Sequence, residues 1–234
     1  MKKTALMGIR VLLFSLFLTP AGFSGENRFR VGFQAGPFIP ADWQIQGQSE
    51  TGHGGDNFPN IQFSGFGNGT DLLLSIQYDF SSWGIRAESG VRLYETRKLI
   101  SGTLGLPVKY ENRMQVVPAV FSLVRQVRLN DPKLTPYFGI GGGSYFIDMQ
   151  TKYSISAFPN SGTWLKESKI LLGFHTLAGF DYRVYDELFA NFEYGYDFAV
   201  GDFRLDNVDN DDYINIYDLN LGGTSLRFGV GYRF

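Results

Sequence analysis

Few side chains in this sequence could run covalent or acid–base chemistry. The 234-residue chain has no cysteine and two histidines. Thiolate metal sites, disulfides and cysteine nucleophiles are therefore excluded. His53 sits in a glycine-rich run with Gly52, Gly54 and Gly55 and reads as a solvated loop residue. His175 sits in an apolar stretch and would need a carboxylate from elsewhere, such as Asp197 or Glu193, to act as a general base. Asp206, Asp209, Asp211 and Asp212 crowd one segment, without the alternate spacing and bend glycine of a calcium loop. Gly139, Gly141, Gly142 and Gly143 are not followed by the Lys-Ser/Thr pair of a phosphate loop. No metal or cofactor is expected. The chemistry that remains is ion pairing among arginines and carboxylates.

Those charges fall on one face of period-two segments. In Phe29–Pro37 one face carries Phe29, Val31 and Phe33, and the other Arg30, Gly32 and Gln34. The same alternation marks Asp71–Phe80, Ile85–Tyr94, Leu188–Phe198 and Leu226–Phe234, and a helical period would not allow it. Met114–Val127, Tyr137–Ile147 and Ile170–Arg183 are three further strands with weaker alternation. Pro118 lacks a ladder donor and suggests a bulge. The eight strands are joined by connections that alternate long and short: 39–69, 81–84, 97–112, 128–136, 148–168, 184–187 and 199–217. That is the plan of an all-β, eight-stranded antiparallel up-and-down barrel crossing a membrane, with short turns at one end and long loops at the other.

The polar face holds Arg28, Arg30, Arg86, Arg92, Arg227 and Arg233 against Asp71, Asp79, Glu88, Asp181, Glu193 and Asp197. An eight-stranded lumen is just wide enough for side chains to fill, whereas an aqueous channel takes about 16 strands. The aromatic-rich face (38 aromatics, Phe 22, Tyr 13 and Trp 3) must then meet lipid. Enclosed charges are costly unless paired. The expected plug is a network of Arg30, Asp71, Arg86, Glu88, Arg92, Glu193, Asp197 and Arg227. Arg28, Asp79, Asp181 and Arg233 are placed near the periplasmic rim, merely solvated. Tyr78, Phe80, Tyr182, Tyr232 and Phe234 are placed in a periplasmic interfacial girdle. Of the large apolar residues, Leu73, Leu177 and Phe189 point inward.

Lys2, Lys3 and Arg10, the apolar run Val11–Leu18, Pro20 and the small residues after it form a secretory signal peptide, residues 1–24. The barrel occupies 25–234. A net charge of −2 gives no argument for a nucleic-acid partner.

The chain ends with Arg227, Gly229, Tyr232 and Phe234 in a pattern that resembles the C-terminal signature of bacterial outer-membrane proteins. The stretches Pro136–Gly143 and Ala178–Arg183 are similar to strand motifs of small OmpA/OmpW-like barrels. The resemblance implies recognition of the last strand by the barrel-assembly machinery through β-augmentation. It implies a setting of outer-membrane lipid and lipopolysaccharide. The chain is expected to be a monomer that acts through its outer loops as a surface antigen, adhesin or envelope scaffold. An OmpW-like narrow channel for small or hydrophobic solutes is the alternative. A lipid-modifying barrel enzyme is a lesser one, because outer-membrane lipid A deacylases use a His-x-Ser pair and this chain has His175-Thr176-Leu177.

Overall fold

The computed structural model describes residues 28–40, 44–45, 63–64, 68–101, 107–127, 129–155, 163–207 and 213–234. The segment 1–24 expected as a signal peptide, His53, Asp209, Asp211 and Asp212 lie outside these residues. Eleven strands follow in order: β1 (Arg28–Pro40), β2 (Gln44–Ile45), β3 (Phe63–Ser64), β4 (Gly69–Phe80), β5 (Trp83–Ser101), β6 (Pro107–Gln126), β7 (Leu134–Ile155), β8 (Thr163–Arg183), β9 (Leu188–Asn207), β10 (Tyr213–Asn220) and β11 (Gly223–Arg233). β2 and β3 pair antiparallel as a two-stranded sheet of their own. The rest is one antiparallel sheet in the order β1-β4-β5-β6-β7-β8-β9-β11, closed by β11 on β1. β10 continues β11 outward along β9 across a register shift, and together they make the eighth staff of the barrel. Closure leaves no sheet edge in the apolar zone, as hydrocarbon requires.

Outward residues carry the apolar surface. Phe121 is 65% exposed, Phe174 66%, Leu172 79% and Phe228 62%, while every arginine and carboxylate at the mid-level of the inner face is buried. The apolar band stops at one level. Leu72, Leu93, Val117, Phe146, Ile170 and Val200 lie just below it, and Thr70, Glu95, Gln115, Asp148, Ser168 and Asp202 lie one outward position above. Register pairs Thr70 with Leu93 and Asp148 with both Gln115 and Ser168, so this boundary runs around the wall. At the opposite end Tyr78 stacks on Phe29 and Phe80, and Tyr232 on Phe234, at 4.9, 6.4 and 5.0 Å.

Three sequence expectations change here. The long connections at 97–112, 148–168 and 199–217 are mostly strand. β5 runs to Ser101, β6 starts at Pro107, β7 runs to Ile155, β8 starts at Thr163 and β9 runs to Asn207, all above the apolar boundary. Backbone pairing carries these strands on where the sequence alternation by which strands are recognised has faded. Pro118 makes no bulge: β5–β6 register is the same at Ser89↔Ala119 and Arg92↔Val116, and Pro118 pairs with Tyr145. The missing donor opens the ladder locally without slipping it. Asp79 and Asp181 are buried rather than rim residues, at 6% and 4% exposure.

The turn Ser81–Ser82 has the one positive-φ residue other than glycine among the described residues, Ser81 at φ 60°. That conformation suits a two-residue hairpin. Between β8 and β9 the ladder lapses from 167 to 172 and resumes in unchanged register at Gly173↔Ala199, so the strands part and rejoin.

Inward glycines let the wall curl tightly. A Cβ on Gly143 would lie 2.1 Å from the Ala119 carbonyl oxygen and 2.7 Å from the Val120 Cα, both backbone atoms. Gly143→Ala is therefore expected to destabilise the folded barrel by about 1–3 kcal/mol, the range for overpacking. The measurement is the urea midpoint of unfolding in detergent micelles, and an unchanged midpoint would refute the close approach of β6 and β7.

Candidate functional site: an ionic ring in the lumen

Alternation delivers the charged side chains to the lumen, and closure decides which of them meet. Three contacts follow from neighbouring strands: Asp71↔Arg92, Glu193↔Arg227 and His175↔Asp197 are direct cross-strand partners. Others cross the lumen. Arg86 and Arg92 on β5 reach Glu193 and Asp197 on β9, on the opposite side of the ring of eight, at 2.6 and 2.7 Å.

The contacts close into a circuit of alternating acid and base. Asp71 contacts Arg92 at 3.2 Å, Arg92 contacts Asp197 at 2.7 Å, and Asp197 contacts His175 Nδ1 at 2.8 Å. His175 Nε2 lies 3.2 Å from Glu88, Glu88 lies 3.0 Å from Arg86, and Arg86 contacts Glu193 at 2.6 Å. Arg227 completes it, with Nη1 2.8 Å from Glu193 and Nε 2.9 Å from Asp71. No member is more than 4% exposed. Tyr145 donates to Asp197 at 2.6 Å and Tyr137 to Glu193 at 2.9 Å. Fully enclosed charges of this kind are tolerable only with this density of partners.

Seven of the eight network residues read from the sequence are in this circuit. Arg30 is not. It belongs to a second cluster toward the short-turn end of the barrel, where its Nε and Nη2 donate to Asp79 at 2.5 and 3.0 Å and its Nη1 donates to Asp181. Gln77 and Gln126 also donate to Asp79, at 2.6 and 2.5 Å. Asn191 donates to Asp181 at 2.8 Å, and Gln34 donates to Asn191. Arg28 is exposed and Arg233 half-buried. His175 takes the eighth place in the circuit.

Tyr137 and Tyr145 stand in a glycine-rich segment whose weak alternation leaves its two faces unassigned in the sequence. Both share the inward parity of Gly139, Gly141 and Gly143 on β7, and that was the available signal. Tyr137 fits because Gly179 faces it, where a Cβ would lie 2.7 Å from its hydroxyl. Gly195 likewise leaves room for the Arg227 guanidinium, 3.0 Å away. Above the ring the lumen is apolar: Phe38, Tyr94, Met114, Val116, Ile147, Met149, Phe203 and Leu221 are all buried. That layer is larger than the inward set of Leu73, Leu177 and Phe189 expected from the sequence. Met114, Val116 and Ile147 fell in weakly alternating segments, Met149 and Phe203 in presumed loops, and Tyr94 stood on the polar face of its strand.

The family model for the outer membrane protein β-barrel domain matches residues 11–234. The chain belongs to this family. Solved outer-membrane barrels share its fold. OprG from Pseudomonas aeruginosa aligns at 16% identity and TM-score 0.57, covering 91% of this chain and 98% of that one. A major outer membrane protein from Thermus thermophilus aligns at 12% identity and TM-score 0.54, covering 90% and 100%. At such identities the likeness is one of fold. No curated protein matches the sequence.

Proposed function

We propose that this outer membrane barrel is a non-enzymatic, closed-lumen protein of the bacterial outer membrane whose work is done at its outer surface. The supporting observation is the ionic circuit: eight buried side chains from five staves occupy the lumen's mid-level with contacts no longer than 3.2 Å around the ring. A passing solute would have to break several of these at once. His175 is enclosed and both of its ring nitrogens face carboxylates, Asp197 and Glu88, which favours a structural role over a catalytic one. The strands that rise above the apolar boundary, with the loops they carry, are the surface offered to lipopolysaccharide and to partners outside the cell. Residues 1–24 are read as the cleaved export signal. Arg227, Gly229, Tyr232 and Phe234 are read as the signal to the assembly machinery, and the barrel as a monomer.

Planar-bilayer recording of the purified protein tests this reading. No steady current is expected at neutral pH, and a steady ohmic conductance would overturn the closed lumen. A second reading is favoured by the apolar layer beneath the outer mouth and by the parting of β8 from β9 beside it. In that reading the outer half of the lumen takes up small hydrophobic solutes and the ring forms its floor.

A further inference from the structure

The circuit alternates strictly, and that assigns His175 a charge. Within 3.2 Å each carboxylate contacts two bases: Asp71 has Arg92 and Arg227, Glu193 has Arg86 and Arg227, Asp197 has Arg92 and His175, and Glu88 has Arg86 and His175, while Arg227 stands farther off, 3.9 Å from both Glu88 and Asp197. Four carboxylates thus face three guanidiniums, and the fourth base position is the imidazole. A neutral imidazole donates from one nitrogen only and turns a lone pair outward from the other. Here both nitrogens face carboxylate oxygens, so a neutral ring would set a lone pair against Asp197 or Glu88 and leave one enclosed negative charge uncompensated.

The groups facing His175 come from every neighbouring wall. β5 supplies Glu88, Arg86 and Arg92, and β9 supplies Asp197 and Glu193. Tyr145 comes from β7, Asp71 from β4 and Arg227 from β11. On β8 itself the nearest inward charged residues are Lys169 and Asp181, six positions away on either side. Glu88 has the loosest hold of the four acids: both of its oxygens lack a well-aligned hydrogen bond and face Arg86 at 3.0 Å and His175 at 3.2 Å. It is the joint that gives first.

We propose that the plug is proton-operated: His175 is its fourth cation, and loss of the ring proton releases Glu88 and loosens the closure between β5 and β8. The proposal rests on the closed-lumen reading and adds a means of opening it. The proton leaves to bulk base and no other bond is made or broken. Among the residues of the circuit, His175 is the one whose unperturbed titration lies near physiological pH.

Two measurements test it on the full-length protein refolded in detergent. The first is a charge-rescue cycle in urea. His175→Asn is expected to lower the unfolding midpoint, and His175→Asn with Glu88→Gln is expected to recover most of the loss, because three acids then face three guanidiniums. Both variants lose the same ring volume, so the recovery reads charge. Additive losses, or no loss in His175→Asn, would overturn the assignment. The second is bilayer recording at rising pH. Transient openings are expected to grow more frequent for the wild type and to be pH-independent for the double variant. Equal pH dependence in both proteins would overturn the latch. Steady current at every pH would count against the closed lumen while the rescue cycle still reports on His175.

Discussion

Arg227→Met is expected to be the most damaging single substitution in the lumen. Arg227 is fully buried, donates to Asp71 and Glu193, and stands 3.9 Å from both Glu88 and Asp197. Methionine fills much of the volume and carries no charge, so it leaves carboxylates enclosed with too few partners. Removing one member of a buried pair costs about 3–5 kcal/mol. The loss is read as a lower urea midpoint and as heat-modifiable gel migration shifting to lower temperature. The comparison is Arg113→Met. Arg113 pairs with Glu111 at 2.6 Å, yet its side chain is 52% exposed. Pairs of that kind contribute about 0–1 kcal/mol. If the two substitutions cost the same, the lumen is wet and the ring does not seal it.

Phe121→Arg is the second large effect, and it tests which face meets hydrocarbon. Phe121 points outward, is 65% exposed, and lies in the middle of the apolar band between Ala87 and Gly142. An arginine at the membrane midplane on the lipid face costs about 2–4 kcal/mol, falling to about 0–1 kcal/mol near the interfaces. Gln115→Arg, on the same strand above the band, is therefore expected to be nearly neutral. Urea titration of folding into phospholipid vesicles measures both. In water an exposed Phe→Arg change would cost little or would stabilise, so a neutral Phe121→Arg would remove the membrane assignment.

The same physics explains what could be read in the chain. Period-two alternation fixes the face on which a side chain stands, so Arg30, Asp71, Arg86, Glu88, Arg92, Glu193, Asp197 and Arg227 were legible as an inward set from spacing alone. The alternating connection lengths made the eight-stranded plan legible, and the aromatic face against balanced charges made lipid the outer solvent. The upper parts of β5 to β9 were not legible, because the sequence there does not alternate and the pairing rests on the backbone. Their partners are chosen by hydrogen bonds that continue the ladder from below.

Which charges meet was decided only by closure. Pairing of β1 with β11 sets the stagger of the whole barrel, and that stagger brings β5 opposite β9. A linear sequence carries no marker of the distance from Arg86 to Glu193 or from Glu88 to His175, since each depends on registers summed around the ring. For the same reason Arg30 fell to a separate cluster with Asp79 and Asp181, and a histidine first weighed as a general base became the eighth member of a salt-bridge circuit. Sequence determines the face because that is a local property of the pleat. The partner across the lumen belongs to the closed sheet as a whole.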